Sequence, residues 1–474
     1  MIKGYEQSSC KKYAMFLHIR HVRIGGMKKQ VTIVGGGLAG SEAAWQAAEH
    51  GLEVMLFEMR PGVETGAHTG GDLAELVCSN SLGSKLPDRA SGILMNELRM
   101  LGSLLVPLAE ENAVPAGGAL AVDRMAFSAA VTRRVEQHPN VKILREEVIA
   151  IPDGLTIVAT GPLTSPSFSD SLKAITGGDH LYFYDALSPI VEAESIDMGI
   201  AYRASRYGRG DEESGDYVNC PFTRAEYDRF VEELLAADRI PLRSFEAGIP
   251  RGVRAGADVF FESCLPVEVI AERGQQSLAF GPMRPVGLPD PRTGHRPYAV
   301  LQLRQDDLAG TLYNLVGFQT NLTISEQRRI FRMIPGLANA RFVRYGQMHR
   351  NTFINAPCIL QPTLQHRERS ELFFAGQITG VEGYLGNIAT GAFAGRNAAR
   401  YAASKELRAL PTETMLGSLL HYISHAAPTG FQPMKANIGL LPPLEGPPIR
   451  SRRERAAAHA RRSHDSISAY LQCL

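Results

Sequence analysis

Residues 30–60, QVTIVGGGLAGSEAAWQAAEHGLEVMLFEMR, constrain this chain more than any other stretch. The apolar run VTIV reads as a buried strand and the glycines after it as a tight turn. SEAAWQAAEHG follows as a helix stopped at Gly51, and EVMLFEM as a second strand. Gly35, Gly37 and Gly40 fall at GxGxxG spacing, with Gly36, Leu38 and Ala39 between them. In such a turn the first glycine permits the bend and the second lets a pyrophosphate reach the backbone. The third lets helix and strand pack closely. Glu58 ends the second strand, where an acid accepts ribose hydroxyls. A lone GxGxxG is common punctuation. Here strand, turn, helix, strand and acid fall in order, which predicts an α/β fold with a Rossmann-like dinucleotide-binding domain.

Two later segments point to FAD rather than NAD. GLTIVATGPLTS (154–165) is a buried-strand run closing on Gly161, where many two-dinucleotide-fold flavoproteins return a strand to the first sheet. ELFFAGQITGVEGYLGNIATGAFAGRNAAR (371–400) gives another strand, then a glycine-rich turn carrying Gly376, Gln377 and Gly380 into a small-residue helix. Such a helix can turn its N-terminal amides toward a flavin. No second GxGxxG is present, so NADH or NADPH is expected to visit the flavin transiently rather than occupy its own domain.

The remaining totals exclude more than they assign. Lys and Arg number 50 against 49 Asp and Glu, so there is no global basic field and a nucleic-acid partner would be met by local patches. Six cysteines without a CxxC pair or a zinc spacing predict free thiols, no metal and a reducing, cytoplasmic compartment. No run reaches the ~18 to 20 apolar residues of a membrane helix. Residues 1–28 are basic and aperiodic, and are expected to be a disordered leader or to precede a true start at Met27. The organisation expected from texture is an FAD-binding domain in two parts, 29–195 and 345–445, around an inserted α+β substrate domain, 196–344. A basic tail, 446–474, follows.

Three thiols stand in distinctive surroundings. Cys78 in AELVCSNSL lies between an apolar run and a polar one, which by itself does not separate packing from chemistry. Cys264 in FFESCLPVE precedes Pro266 and a helix, so packing and nucleophilic chemistry stand about even there. Cys220 in YVNCPFT reads as filler. Arg203, Arg206 and Arg209 alternate with Tyr202 and Tyr207, a pattern that suits phosphates and unstacked bases and equally suits a solvated face. His349, Arg350 and Asn351 bring a titratable ring and a cation to the return into the FAD domain, where they line a folate or flavin pocket or form a hydrogen-bonded surface loop.

Taken together, VGGGLAGSEAA, AELVCSNSL, LAVDR, VATGPLTS, YVNCPFT, FFESCLPVEVIAERG, YGQMHRNTFINAP, FAGQITGVEGY and FQPMKANIGLLPPL resemble the folate- and FAD-dependent tRNA (uracil-5-)-methyltransferases of bacteria, over about residues 30–445. The resemblance implies that 5,10-methylenetetrahydrofolate donates a one-carbon unit by way of the flavin to C5 of the T-loop uridine in tRNA, with NADH or NADPH as electron source. It implies that Cys78 and Cys264 are the catalytic thiols. We assign Cys264 as the nucleophile at uracil C6 and Cys78 as its helper. The alternatives are a flavoprotein modifying the wobble uridine of tRNA, and a small-molecule flavin oxidoreductase.

Overall fold

A computed structural model describes residues 29–176, 181–210, 212, 214–240 and 265–473, with the backbone alone for 181–186 and 348–350. The leader and Cys264 lie outside the described residues.

The opening stretch folds as its pattern dictates. Gln30–Val34 forms a strand, Leu38–Glu49 a helix and Glu53–Phe57 the next strand, which pairs parallel to the first from Gln30↔Glu53 to Val34↔Phe57. These strands sit in a five-stranded parallel sheet with the order 372–374, 156–158, 30–34, 53–57, 141–144. The returning strands are the two read from sequence, Thr156–Val158 and Leu372–Phe374. All side chains of both are buried, as a parallel sheet covered on both faces requires. The Leu38–Glu49 helix packs along the Tyr384–Ala402 helix through small residues. A Cβ on Gly391 would stand 2.2 Å from the Ala39 carbonyl oxygen, and one on Gly395 would stand 2.5 Å from that of Ala43.

The insertion has its own core. A six-stranded antiparallel sheet runs 202–204, 217–222, 299–305, 312–315, 190–192, 342–344. Its strand Ile190–Glu192 lies ahead of the boundary expected at residue 196. Tyr227, Phe230, Phe318 and Phe331 bury against this sheet in a cluster separate from that of the nucleotide-binding sheet. The antiparallel pair Leu181–Ala186 and Met348–Phe353 carries the chain in and out. The basic tail is the helix Arg452–Gln472, docked on the Ala90–Met100 helix through Ala456, His459, Ser463 and Ile467. There Ser463 Oγ and the amides of Met415 and Leu416, 2.6 and 2.8 Å away, donate to the buried Glu97 carboxylate. Among the described residues no single helix is long and apolar enough to cross a membrane.

Candidate active site

The first cleft is built from glycine. Gly35 has φ +105°, and a Cβ there would stand 2.5 Å from the Ala159 carbonyl oxygen. A Cβ on Gly40 would meet the Gly35 oxygen at 1.7 Å, so only glycine lets the helix start this close to its strand. Gly37 and Gly161 line the cleft with open space where a Cβ would point. The Gly36 amide donates to Glu58 Oε2 at 2.9 Å, and Oε1 accepts from the amide and Nε of Arg60, each at 2.9 Å. Burial opposes ionisation of Glu58, but the bond and charge of Arg60 and the two amides outweigh it and hold the carboxyl below the usual range. Arg60 also donates to Glu75 and to the carbonyls of Gly70 and Asp72, which folds the 59–75 loop over the acid.

Gly161, Gly376 and Gln377 form the facing wall, with Leu38, Ala39 and Glu58 on the near side. The enclosed space, about 970 Å³ including its open mouth, has the size of a cofactor site. A glycine-walled slot between a strand end and a helix start, floored by an ionised acid, fits an FAD. Gly36 and Gly40 act behind this wall, through a hydrogen bond and through packing. Gly380 stands outside the cleft lining, where its missing Cβ would lie 2.7 Å from the Phe431 ring.

A second cavity, about 1590 Å³ including its open mouth, lies beside the first, and the two share the wall Val77, Pro162, Leu163, Gln377, Tyr384 and Asn387. The half-buried Cys78 lines it from the loop entering the Ser81–Ser84 strand. Four elements pin this loop. The Cys78 amide donates to Tyr384 Oη at 2.9 Å, at the start of the Tyr384–Ala402 helix. The Cys78 carbonyl accepts from Arg124 at 3.2 Å and Arg344 at 3.4 Å. Arg124 is fixed as the first residue of its helix because Asp123 caps it, accepting from the Ala126 amide at 2.9 Å. Arg124 is also ion-paired with the buried Asp306 at 3.0 Å. Arg304 donates to Asn80 Oδ1 and Ser79 Oγ, both at 2.7 Å, and to Asn314 Oδ1 at 3.2 Å.

The other expected residues divide. Asn351 lines the second cavity. His349 and Arg350 share its strand, and their side chains lie outside the described residues. Arg203 stacks over Tyr313 at 5.9 Å and donates to its hydroxyl at 2.8 Å, far from Cys78 in the fold's element order but on the same antiparallel sheet as Arg304. Arg206 is spent on the Val286 and Arg284 carbonyls and Gln302 Oε1. Tyr202 is buried against the Leu288 carbonyl, while Tyr207 is 61% exposed. Cys220 is filler: burial pushes its thiol up to about 12. Among the described residues no three His, Cys, Asp or Glu side chains gather for a metal.

Sequence reasoning missed Arg60, Arg124, Arg304, Asp306, Arg344 and Tyr384. One signal was available. Arg124 directly after a capping aspartate sets a cation against the positive end of a helix dipole, which implies a partner elsewhere.

A family model described as "Glucose inhibited division protein A" matches residues 30–406. The chain is 53% identical over 448 residues to the methylenetetrahydrofolate--tRNA-(uracil-5-)-methyltransferase TrmFO of Bacillus pumilus, covering 94% of this chain and 100% of that one. It is 54% identical to the protein of that name from Exiguobacterium sp., covering 94% and 99%. For Bacillus subtilis the identity is 53%, covering 93% and 98%. The solved structure of Aquifex aeolicus GidA in its form II crystal superposes with a TM-score of 0.62 at 18% identity, covering 84% of this chain and 68% of that one, a likeness of fold. The chain belongs to the GidA family of flavoprotein fold and, within it, to the methylenetetrahydrofolate--tRNA-(uracil-5-)-methyltransferases TrmFO.

Proposed function

We propose that this chain methylates C5 of the T-loop uridine in tRNA. It takes the one-carbon unit from 5,10-methylenetetrahydrofolate, holds FAD in the glycine cleft and draws electrons from NADH or NADPH. The observation that carries this is near-full-length identity of 53% to relatives named for that reaction. The arrangement of the site supports it, since Cys78 lines a cavity that shares a wall with the cofactor cleft.

The residues take roles as follows. Gly35, Gly37, Leu38, Ala39, Gly161, Gly376 and Gln377 form the walls against FAD, and Gly36 aligns Glu58 for the ribose. When bound, the flavin supplies the reducing equivalents that convert a transferred one-carbon unit to methyl. Uracil C5 is a poor nucleophile until a thiolate adds at C6 and moves charge toward C5. Cys264 is that nucleophile, and Cys78 serves the proton and thiol chemistry next to the flavin. Asn351, His349 and Arg350 contact the folate or pyrimidine. Arg203 meets tRNA phosphate, while Arg206 supports the turn that presents Tyr207 and Arg209 to unstacked bases. The reaction takes place in the cytoplasm with tRNA.

The test is transfer of labelled carbon from methylenetetrahydrofolate to an unmodified tRNA transcript with FAD and NADH. Label in T-loop 5-methyluridine with the intact chain and not with Cys264→Ala is the expected result. No label in tRNA, with folate, flavin and reductant bound, returns the reading to the wobble-uridine or small-molecule alternatives.

A further inference from the structure

Among the described residues, the Cys78 loop rests on more positive charge than it has carboxylate to match. Three guanidiniums from separate elements converge behind it: Arg124 at a helix start, Arg304 in the Ala299–Gln305 strand and Arg344 at the end of the Phe342–Arg344 strand. Asp306 is the acid among them, and Arg124 takes it through Nε and Nη2. Arg304 is 8% exposed, has no carboxylate within 4 Å among the described residues, and is held by neutral acceptors. Among the described residues Arg344 makes one bond, to the Cys78 carbonyl, and its buried Nε has no partner.

Buried cations held only by neutral groups are costly, and they persist where an anion uses them. Burial lowers the affinity of Arg304 for its proton and pushes Arg344 down to about 10, more than the attraction of Asp306 offsets. Arg304 lines the same cavity as Cys78, and a charge on the Cys78 sulfur is felt by all three arginines.

We propose that Arg304 is a positioning residue for the reaction: its unmatched charge, backed by Arg344, holds Cys78 as a thiolate beside the shared wall of the two cavities. This rests on the reading of Cys78 as a reacting thiol. Among the described residues, the charged and titratable groups around Cys78 include Arg124 from its helix, Arg304 from the central strand with Asp306 just past its end, Arg344 from the edge strand, and Tyr384. Glu382 and Lys435 line the cavity farther on, one acid and one base in register on paired strands. Tyr217 lies on the side of Arg304 and stays neutral, because burial raises its hydroxyl. Among the described residues, three cations against one acid leave the loop in positive potential, which favours a thiolate.

The experiment is the pH dependence of Cys78 alkylation by iodoacetamide in flavin-loaded protein, read peptide by peptide in a mass spectrometer without tRNA or folate. It is therefore independent of whether the methyltransferase reading holds. Arg304→Gln is expected to raise the midpoint by about one unit, the low end of what a nearby charge does, and to slow alkylation roughly tenfold at neutral pH. Arg304→Lys, which keeps the charge, is expected to stay within a few tenths of a unit of the parent. An unchanged midpoint in flavin-loaded Arg304→Gln, or an equal shift in Arg304→Lys, overturns the proposal. Should Arg304→Gln fail to load flavin, Arg344→Gln decides: a smaller rise supports the arginine cradle, and no rise overturns it.

Discussion

The two cavities are neighbours built on opposite principles. The cofactor cleft takes its glycine turn and Glu58 from one stretch of chain, 30–60, where missing side chains set the geometry, and segments near 146–148, 159–168 and 376–387 close it. The Cys78 cavity is assembled from loops and strands far apart in sequence, with 306 positions between Cys78 and Tyr384, and its Cys78 loop is held by Arg124, Arg304 and Arg344. A glycine turn is local and tolerant of distant change. A site made of buried charge depends on every element that brings a partner to it, and it fails when one partner is removed.

The largest effect is expected in the first region. Gly40→Val places a side chain inside the backbone of Gly35 and is expected to cost more than ~4 kcal/mol, seen as loss of soluble flavin-loaded protein. In the second region, Arg124→Leu leaves Asp306 buried with, among the described residues, only the Asn314 side-chain amide, and leaves the Cys78 carbonyl to Arg344 alone. A loss of about 3 to 5 kcal/mol in thermal or urea unfolding is expected, and flavin content at saturating FAD should be retained. If flavin were lost in step with turnover, the two sites would not be separable.

Glu58→Gln sharpens the comparison through pH. The Glu58 carboxyl is held below its ordinary range in the fold, so its contribution is present above the unfolded range and is lost as pH falls through the lowered value. Removing the charge is expected to cost about 2 kcal/mol at neutral pH and to flatten the acid limb of flavin retention, measured by released flavin fluorescence. The smallest effect is expected at Glu97, which burial pushes up to about 7 despite Ser463 and two amides. A raised folded value means the stabilisation is full below the unfolded value of 4.5 and declines as pH rises to about 7. Glu97→Gln is expected to remove that decline at a cost of about 1 kcal/mol, measured by unfolding across pH 4 to 8. Flavin content should not change, since Glu97 lines neither cavity.

The same contrast explains what was legible in the sequence. The parallel sheet and its cleft were readable because turn, helix and strand periods all act within a few residues of one another. Cys220 read as filler in its strand-like stretch, and it is buried in the strand Tyr217–Phe222. Cys78 was not readable by itself, because what surrounds it comes from Arg124, Arg304, Arg344 and Tyr384, and sequence distance hides such contacts. Arg206 shows the converse. Its pattern suggested a free cation, yet three acceptors from the 284–302 region occupy it. The strand Ile190–Glu192 was missed because three residues carry too little pattern to assign to a sheet whose partners lie at 312–315 and 342–344.

The most direct test of the division between the cavities is to measure flavin stoichiometry and labelled-carbon transfer to tRNA together in Cys78→Ala. The account predicts flavin content equal to the parent at saturating FAD, with transfer reduced by about a thousandfold or more, as removal of a reacting group does. Transfer that persists at full flavin content, or flavin lost in proportion to transfer, would contradict it.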